Sequence, residues 1–263
     1  MPKFKKIYVE ILNYCNFNCG FCPKTERERG VLSVENFKNV ALQAKAFADT
    51  FCLHLCGEPT LHPEFKEILG VCGELKVKVE LVTNGGTLNE VSEVLLNSPA
   101  VKKICFSLNA YGEIGGGQAE EFLKFARLAG EAGKVVEFRF FDKSKIPQFF
   151  LEARNAAGGR ANEIAPNVFV RVINRFKWPV QAEKGKDGGK TFCLGGRTHI
   201  GILCCGTVVP CCLDNNAKIP LGNVFETNLE NILRSDRFLN LIKGFSEGRA
   251  VEGLCKTCGF EKK

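Results

Sequence analysis

Hydrophobic and polar positions along the first two-thirds of the chain alternate between strand and helix periods. Short runs of β-branched and aromatic residues predict strands at residues 6–12, 51–55, 77–83, 103–108, 135–141 and 168–173. Apolar residues at helical spacing predict helices after Ser33 and at 63–72, 88–96, 119–132 and 146–157. This alternation predicts parallel β-α crossovers, in an open doubly wound sheet or in a complete or partial barrel. In either architecture the reactive site lies at the carboxyl ends of the strands.

The last third of the chain has a different pattern. Residues 181–190 are polar and rich in glycine, which predicts a linker or exposed loop. A β-hairpin is predicted from residues 198–203 and 207–210, and a helix from 229–245. A unit of about 70 residues is small for an independent core without a metal. We therefore predict a core domain at 1–176, a linker at 177–192 and a small C-terminal domain, a hairpin plus a helix, at 193–263.

Composition narrows the class of protein. Hydrophobic residues make up 45% of the chain and charged residues 25%, values typical of globular proteins. There is no apolar stretch of about 18 residues, and the basic N-terminus lacks the apolar run of a signal peptide. The net charge of +7 comes without an interleaved aromatic and basic motif. We expect a cytoplasmic protein with no membrane and no nucleic-acid partner.

Cysteine is unusually frequent, with 14 residues. Disulfides are rare in the cytoplasm, so clustered cysteines there indicate metal or redox chemistry. Three cysteines lie inside apolar segments and are expected to be buried hydrophobic residues: Cys52, Cys72 and Cys105. Four others have no clear assignment from the sequence: Cys56, Cys204, Cys205 and Cys212.

The first cysteine motif follows the first predicted strand, with the spacing Cys15-x3-Cys19-x2-Cys22. A structural zinc ion takes four closed ligands, and a 4Fe–4S cluster normally takes four cysteines. Three thiolates without an obvious fourth leave one iron open to a ligand that is not protein. Structural zinc remains the alternative.

This motif, with Phe21 in the aromatic position before the last cysteine, resembles the signature of the radical S-adenosylmethionine superfamily. The resemblance implies a partial (β/α)6 TIM-like barrel in which Cys15, Cys19 and Cys22 hold a catalytic 4Fe–4S cluster. In that family S-adenosylmethionine binds the open iron and is cleaved reductively to a 5′-deoxyadenosyl radical, which abstracts a hydrogen atom from the substrate. The resemblance also implies that a flavodoxin- or ferredoxin-like protein supplies the electron.

Further segments resemble the family's cofactor-binding motifs. The segment Cys56-Gly57-Glu58-Pro59 is similar to the Gly-Gly-Glu-Pro motif, with Cys56 in place of the first glycine. The resemblance implies that its backbone holds the amino group of the methionine part. It also assigns to the cofactor the polar residues that end the third and fourth predicted strands: Thr83, Asn84, Ser107 and Asn109.

Arg139 is a lone arginine in the otherwise apolar fifth strand. A buried arginine needs an anionic partner. The carboxylate of S-adenosylmethionine is one candidate, and a salt bridge to Glu137 or Glu80 is the alternative. His54 and His62 are expected to be packing or surface residues.

A second cysteine set lies in the last 71 residues, at positions 193, 211, 255 and 258. Its order resembles the twitch domain, a shortened form of the SPASM domain. The resemblance implies one auxiliary 4Fe–4S cluster with four ligands: Cys193, Cys211, Cys255 and Cys258. A structural zinc ion on the same four residues is one alternative. Replacement or supplementation of Cys211 by Cys205 or Cys212 is another.

The sequence thus predicts a radical enzyme that oxidises or modifies a peptide or a small polar molecule. A closed auxiliary cluster suits electron transfer, because it can accept the electron left on a substrate radical. The alternative from another class is a non-catalytic zinc- or cluster-binding module that senses redox state or binds a partner.

Overall fold

A computed structural model describes residues 3–111, 116–157, 162–175, 178–179 and 192–258. The strands in these ranges are β1 (Lys6–Val9), β2 (Thr50–Cys52), β3 (Lys78–Thr83), β4 (Val101–Ser107), β5 (Val135–Phe140), β6 (Glu163–Ala165), β7 (Val168–Val172), β8 (His199–Ile202), β9 (Thr207–Val209) and β10 (Gly222–Asn223). The α-helices are α1 (Val34–Ala44), α2 (Phe65–Glu74), α3 (Leu88–Asn97), α4 (Gly116–Glu131), α5 (Gln148–Ala157), α6 (Leu229–Leu233), α7 (Asp236–Ser246) and α8 (Gly253–Thr257). These strands form one sheet in the order β10-β9-β8-β1-β2-β3-β4-β5-β7-β6.

The six predicted strands correspond to β1 to β5 and β7, and neighbouring members of this set pair in parallel. Helices α1 to α5 lie between them along the chain. This arrangement confirms the α/β class and the predicted partial barrel of β-α units. The antiparallel edge strand β6 was not predicted, because three residues are too short to show an alternating pattern.

The two faces of the parallel strands differ in chemistry. Phe106 of β4 and Phe138 of β5 lie on one face, where their rings stack at 5.4 Å. Phe122 of α4 lies 5.2 Å from Phe106, and Phe150 of α5 lies 4.6 Å from Phe138, so the helices cover this face. We call the opposite face the inner face. The alternation of a strand places polar side chains there: Lys6, Tyr8, Glu80, Lys103, Cys105, Glu137, Arg139 and Arg171.

The C-terminal segment extends the same sheet. Strand β8 pairs in parallel with β1, with Lys6 opposite His199, and pairs antiparallel with β9. This confirms the predicted hairpin, whose turn contains Gly206 at φ +84. A β-carbon at that position would meet the Asn223 and Phe225 side chains within 2.7 Å, so the turn requires glycine.

The predicted helix at 229–245 is wrong in one respect, because two helices occupy this segment. Asn228 caps α6, and the Ser235 hydroxyl caps α7 by accepting a hydrogen bond from the amide of Phe238 at 3.3 Å. Ser235 has an extended backbone, which ends the first helix and starts the second. Most of the predicted linker at 177–192 lies outside the described residues, and the domain boundaries stay a prediction.

Candidate functional site

The first cysteine motif lies in the loop that follows β1. Cys15 is exposed, while Cys19 and Cys22 are half-buried. These three cysteines, together with Cys56 and Gly57, line one cavity of about 300 Å³. The structure therefore brings the predicted catalytic cysteines together at the carboxyl end of the sheet.

Burial disfavours the charged form of these thiols in the absence of a bound cation. It raises the pKa of Cys22 to about 11, and the neighbouring Cys56 contributes further. Burial and the nearby Cys15 also raise the pKa of Cys19. Thiolates at such positions need positive charge close by, and bound metal ions would supply it.

A single zinc ion and an iron–sulfur cluster require different arrangements of thiols. Across the parts of the chain that the structure describes, no three His, Cys, Asp or Glu side chains converge closely enough to share one metal ion. A tetrahedral zinc site requires every thiolate within about 2.3 Å of one centre. In an iron–sulfur cluster each thiolate binds its own iron, so the thiols surround a larger common space.

The Cys56–Pro59 segment packs against the cysteine loop. The amide of Glu58 donates to the carbonyl oxygen of Tyr14 at 2.8 Å. Gly57 has φ +85, and a β-carbon there would lie 2.8 Å from backbone atoms of Leu12 and Tyr14. Only glycine allows this approach, so the segment is fixed beside Cys15. Pro59 is buried and begins a 3₁₀ turn, Pro59–Leu61.

The carboxylate of Glu58 is buried and fully engaged by groups of this chain. It accepts hydrogen bonds from the Thr60 and Thr83 hydroxyls, both at 2.7 Å, and from the Asn84 amide at 2.6 Å. Glu58 therefore ties the end of β2 to the end of β3. This arrangement makes Glu58 and Thr83 supports of the site that hold its backbone in place.

Asn84 reaches the cysteine loop from the end of β3. Its Nδ2 donates to Asn16 Oδ1 at 2.8 Å and lies 3.4 Å from Cys15 Sγ. Its Oδ1 accepts from the amide of Gly86 at 2.7 Å. Asn84 thus links the third strand directly to the first cysteine of the motif.

The residues predicted after β4 have different surroundings. Ser107 is the last residue of β4 and lies opposite Arg139 in the sheet. The side chain of Asn109 bonds to the backbone, donating to the carbonyl oxygen of Arg139 at 3.3 Å and accepting from the Phe141 amide. Asn109 therefore fixes the end of β5, where the ring of Phe141 meets Phe21 edge to face at 5.1 Å.

Arg139 forms a salt bridge with Glu137, one of the two partners named as alternatives to the cofactor carboxylate. Its Nε and Nη2 donate to Glu137 Oε2 at 3.1 and 2.8 Å. Glu80 pairs instead with Lys6 at 2.9 Å. A guanidinium has five N–H donors, so this bridge leaves donors of Arg139 for a further anion.

The second cysteine set surrounds another cavity, of about 370 Å³. Its lining includes all four predicted ligands: Cys193, Cys211, Cys255 and Cys258. Burial, with nearby Cys193 and Cys258, raises the pKa of Cys255 to about 12. Burial, with nearby Cys212, also raises the pKa of Cys211 well above its usual value. These thiols too need a positively charged partner to ionise.

The remaining cysteines separate into distinct environments. Cys212 and Tyr8 both line the auxiliary cavity. Cys204 is buried against Arg27, and Cys205 is exposed beside Thr207 in the hairpin turn. The prediction that Cys52, Cys72 and Cys105 are buried is confirmed.

The two histidines that were expected to pack do so. His54 is half-buried and its Nδ1 accepts from the Val82 amide at 3.2 Å. Burial lowers the pKa of His54 to about 3, and nearby Lys6 adds to this, so the ring is neutral at pH 7. His62 Nε2 lies 2.9 Å from the carbonyl oxygen of Leu32.

Sequence reasoning missed the contacts that join the two cysteine-bearing loops. Asn215 Nδ2 donates to the carbonyl oxygen of Pro23 at 3.3 Å, directly after Cys22. Asn216 Oδ1 accepts from the Thr25 hydroxyl at 3.1 Å and from the Glu26 amide at 2.9 Å. An asparagine pair in a turn carries no sequence signal for such long-range pairing.

Two family models match the chain. The model described as the Radical SAM superfamily matches residues 9–141, and the SPASM model, an iron–sulfur cluster-binding domain, matches residues 193–259. The S-adenosyl-L-methionine-dependent 2-deoxy-scyllo-inosamine dehydrogenase of Niallia circulans is 25% identical over 97% of this chain and 92% of that protein. The PqqA peptide cyclase of Gluconobacter oxydans is 22% identical over 90% and 78%.

Solved structures share the fold. BtrN in complex with AdoMet and 2-DOIA has a TM-score of 0.64 at 20% identity, over 98% of this chain and 94% of that one. SuiB of Streptococcus suis bound to precursor peptide SuiA has a TM-score of 0.66 at 17% identity, over 100% and 72%. No helix among the described residues is both long and apolar enough to cross a membrane.

The sequence match and the geometry agree on the chemistry. The radical SAM domain binds a 4Fe–4S cluster and S-adenosylmethionine, and the SPASM domain binds auxiliary iron–sulfur. The protein is therefore an enzyme, and the alternative of a non-catalytic zinc or partner-binding module is wrong. With a family model that covers half of its length and both cysteine loops in place, the chain belongs to the radical SAM superfamily.

Proposed function

We propose that this enzyme oxidises an alcohol group of a small polar molecule bound on the inner face of the sheet. One observation carries the proposal: Tyr8 and Arg139 of the inner face line the same cavity as the auxiliary cysteines. A substrate on this face would lie against the auxiliary cluster. An oxidation requires such a neighbour, because an electron must leave the substrate.

The two cavities support the predicted cluster ligands. Three cysteines would hold the catalytic 4Fe–4S cluster: Cys15, Cys19 and Cys22. Four would hold one auxiliary 4Fe–4S cluster: Cys193, Cys211, Cys255 and Cys258. When bound, these groups and S-adenosylmethionine supply the radical that removes a hydrogen atom and an acceptor for the remaining electron.

The balance of the reaction is that of a two-electron oxidation. The carbon loses a hydrogen atom, the hydroxyl loses a proton, and one further electron leaves, which together convert an alcohol to a carbonyl group. Tyr8 lines the cavity and can offer its hydroxyl to the substrate, and its ring meets the ring of neutral His54 edge to face at 5.4 Å.

The chain's other residues position the cofactor. Gly57 lets the backbone of the Cys56–Pro59 segment approach the methionine amino group, while Glu58 holds that segment to Thr83 and Asn84. Arg139 has donors left for the methionine carboxylate after its bond to Glu137. Ser107 lies in register beside it, near the same group.

Relatives support a small polar substrate. The Niallia circulans dehydrogenase acts, by its name, on 2-deoxy-scyllo-inosamine, and its alignment spans 97% of this chain and 92% of that protein. The PqqA cyclase acts, by its name, on a peptide, and its alignment spans 78% of that protein. We infer a cytoplasmic enzyme served by a flavodoxin- or ferredoxin-like reductant.

The test is anaerobic turnover of the reconstituted enzyme with dithionite, S-adenosylmethionine and 2-deoxy-scyllo-inosamine or related polyols. We expect a carbonyl product together with 5′-deoxyadenosine. The Cys258→Ala variant should keep part of the cofactor cleavage and lose the carbonyl product. Turnover of peptides, with no polyol oxidised, would replace this proposal with a peptide-modifying function.

A further inference from the structure

The inner face carries more positive than negative charge around one carboxylate. Glu137 of β5 has a side chain that is only 6% exposed, and three cations surround it. Lys103 Nζ lies 2.8 Å from Oε1, Arg171 Nε lies 3.1 Å from the same oxygen, and Arg139 Nη2 lies 2.8 Å from Oε2. One carboxylate neutralises only one of these three cations.

The sheet register places two of these cations side by side. Arg139 and Arg171 are paired residues on β5 and β7, and neighbouring strands lie about 4.8 Å apart. Like charges directly opposite each other on neighbouring strands are destabilising unless an anion lies between them. Glu137, opposite Phe169, is two residue pairs away along the strands and therefore on the same face, so its carboxylate serves both arginines from one side.

The other carboxylates near the inner face do not supply the missing charge. Glu80 is engaged by Lys6 at 2.9 Å. Glu163 on the edge strand accepts from the Asn167 amide at 3.2 Å, and none of the ion pairs of the described residues includes it. His54 is neutral at pH 7.

The methionine carboxylate of S-adenosylmethionine can neutralise only one of the three cations around Glu137. In the proposed function, Arg139 serves the methionine carboxylate and also lines the cavity of the auxiliary thiolates, which Lys103 and Arg171 do not line. Glu137 neutralises a second cation. One positive charge then remains, shared between Lys103 and Arg171, which bond to the same carboxylate oxygen. The two side chains are 29% and 48% exposed, so both remain accessible to a small molecule.

We propose that the substrate carries an anionic group, a carboxylate or a phosphate ester, that binds to Arg171 and Lys103 beside Glu137. This inference rests on the proposed function, because it assumes that the substrate lies on the inner face. Arg171 binds the anion through the guanidinium nitrogens that Glu137 leaves available, in the bidentate geometry that suits both anions. The charged handle thereby fixes which hydroxyl of the substrate faces the radical.

The test uses the reconstituted full-length enzyme with S-adenosylmethionine present, so that Arg139 is occupied. Inorganic phosphate and acetate are titrated calorimetrically at an ionic strength held constant with sodium chloride. We expect at least one of these anions to bind, with an affinity at least tenfold weaker in Arg171→Gln and in Lys103→Gln. The matched control is Arg249→Gln, because Arg249 pairs with Glu247 on the surface; it should bind like the unaltered enzyme.

The titrations show whether the anion site exists and which anion it binds. Binding of phosphate alone identifies a phosphate ester, and binding of acetate identifies a carboxylate. If neither anion binds, or if affinity is unchanged in both variants, the inference is overturned. The proposed function is judged separately: a neutral polyol lacks the anionic group, so Arg171→Gln and the unaltered enzyme should oxidise it at the same rate. If no polyol is oxidised by either protein, the proposed function fails while the anion-binding result stands on its own.

Discussion

The guanidinium of Arg27 donates two hydrogen bonds from Nη2 to the carboxylate of Glu10, at 2.7 and 2.8 Å. Glu10 is completely buried at the end of the first strand, and Arg27 belongs to the segment that follows the catalytic cysteines. Arg27 Nε also donates to the carbonyl oxygen of Asn215 at 2.7 Å. The pair therefore joins the barrel, the catalytic loop and the auxiliary loop at one point.

Loss of one partner of this pair should be strongly destabilising. Arg27→Gln leaves the Glu10 carboxylate buried without its cation, which costs about 3–5 kcal/mol. The measurement is the urea unfolding midpoint under anaerobic conditions. Arg249→Gln, which breaks an exposed pair, should change stability by less than about 0.5 kcal/mol. Equal midpoints for the two variants would contradict the role assigned to the buried pair.

A methyl group at position 57 should disrupt the catalytic loop. In Gly57→Ala the new carbon meets backbone atoms of Leu12 and Tyr14 at 2.8 Å, and φ +85 adds strain of about 1–2 kcal/mol. We expect at least a tenfold loss of 5′-deoxyadenosine formation. Gly70→Ala in helix α2 has open space around the new carbon and should retain full activity. Unimpaired cofactor cleavage in Gly57→Ala would show that the close approach is not required.

Glu137 should make stability depend on acid pH. Burial opposes its ionisation, but hydrogen bonds from Lys103 and Arg139 prevail and lower the pKa to about 2 from 4.5. A depressed folded-state pKa stabilises the protein above pH 4.5, and this stabilisation is lost as the pH falls from about 4.5 to about 2. The shift corresponds to about 3 kcal/mol. Unfolding midpoints of Glu137→Gln across this range should therefore fall less steeply than those of the unaltered protein.

The Asn216 contacts should matter for coupling the two cysteine loops. In Asn216→Ala the Thr25 hydroxyl and the Glu26 amide lose their shared acceptor. We expect cofactor cleavage to persist while the ratio of oxidised product to 5′-deoxyadenosine falls severalfold. A matched change is Asn228→Ala, which removes only a helix cap on α6 and should leave that ratio intact. A proportional loss of both products in Asn216→Ala would indicate a merely structural role.

Much of the fold was predictable from the sequence, because the hydrophobic periods of the strands and helices are strong in this chain. All six predicted parallel strands and the C-terminal hairpin are present. The break at Ser235 was missed because apolar spacing continues across it, although the serine itself is a common helix cap. The three-residue strand β6 offered no period to detect.

The candidate site was predictable where residues are close in sequence. The spacing of Cys15, Cys19 and Cys22 is local, and the structure places these three around one cavity. The charges around Glu137 were not predictable in detail, because Lys103 and Arg171 come from other strands and meet it only through the sheet register. The link from Asn215 to the catalytic loop likewise depends on tertiary packing.

Formation of 5′-deoxyadenosine by Cys19→Ala tests the three-cysteine cluster most directly, with Cys72→Ala, a change to a buried cysteine in helix α2, as the control. After anaerobic reconstitution with dithionite and S-adenosylmethionine, the unaltered enzyme and Cys72→Ala should form this product with about eight irons per chain. Cys19→Ala should form none and retain about four irons. Undiminished product from Cys19→Ala, or zinc without iron in the unaltered enzyme, would contradict the assignment.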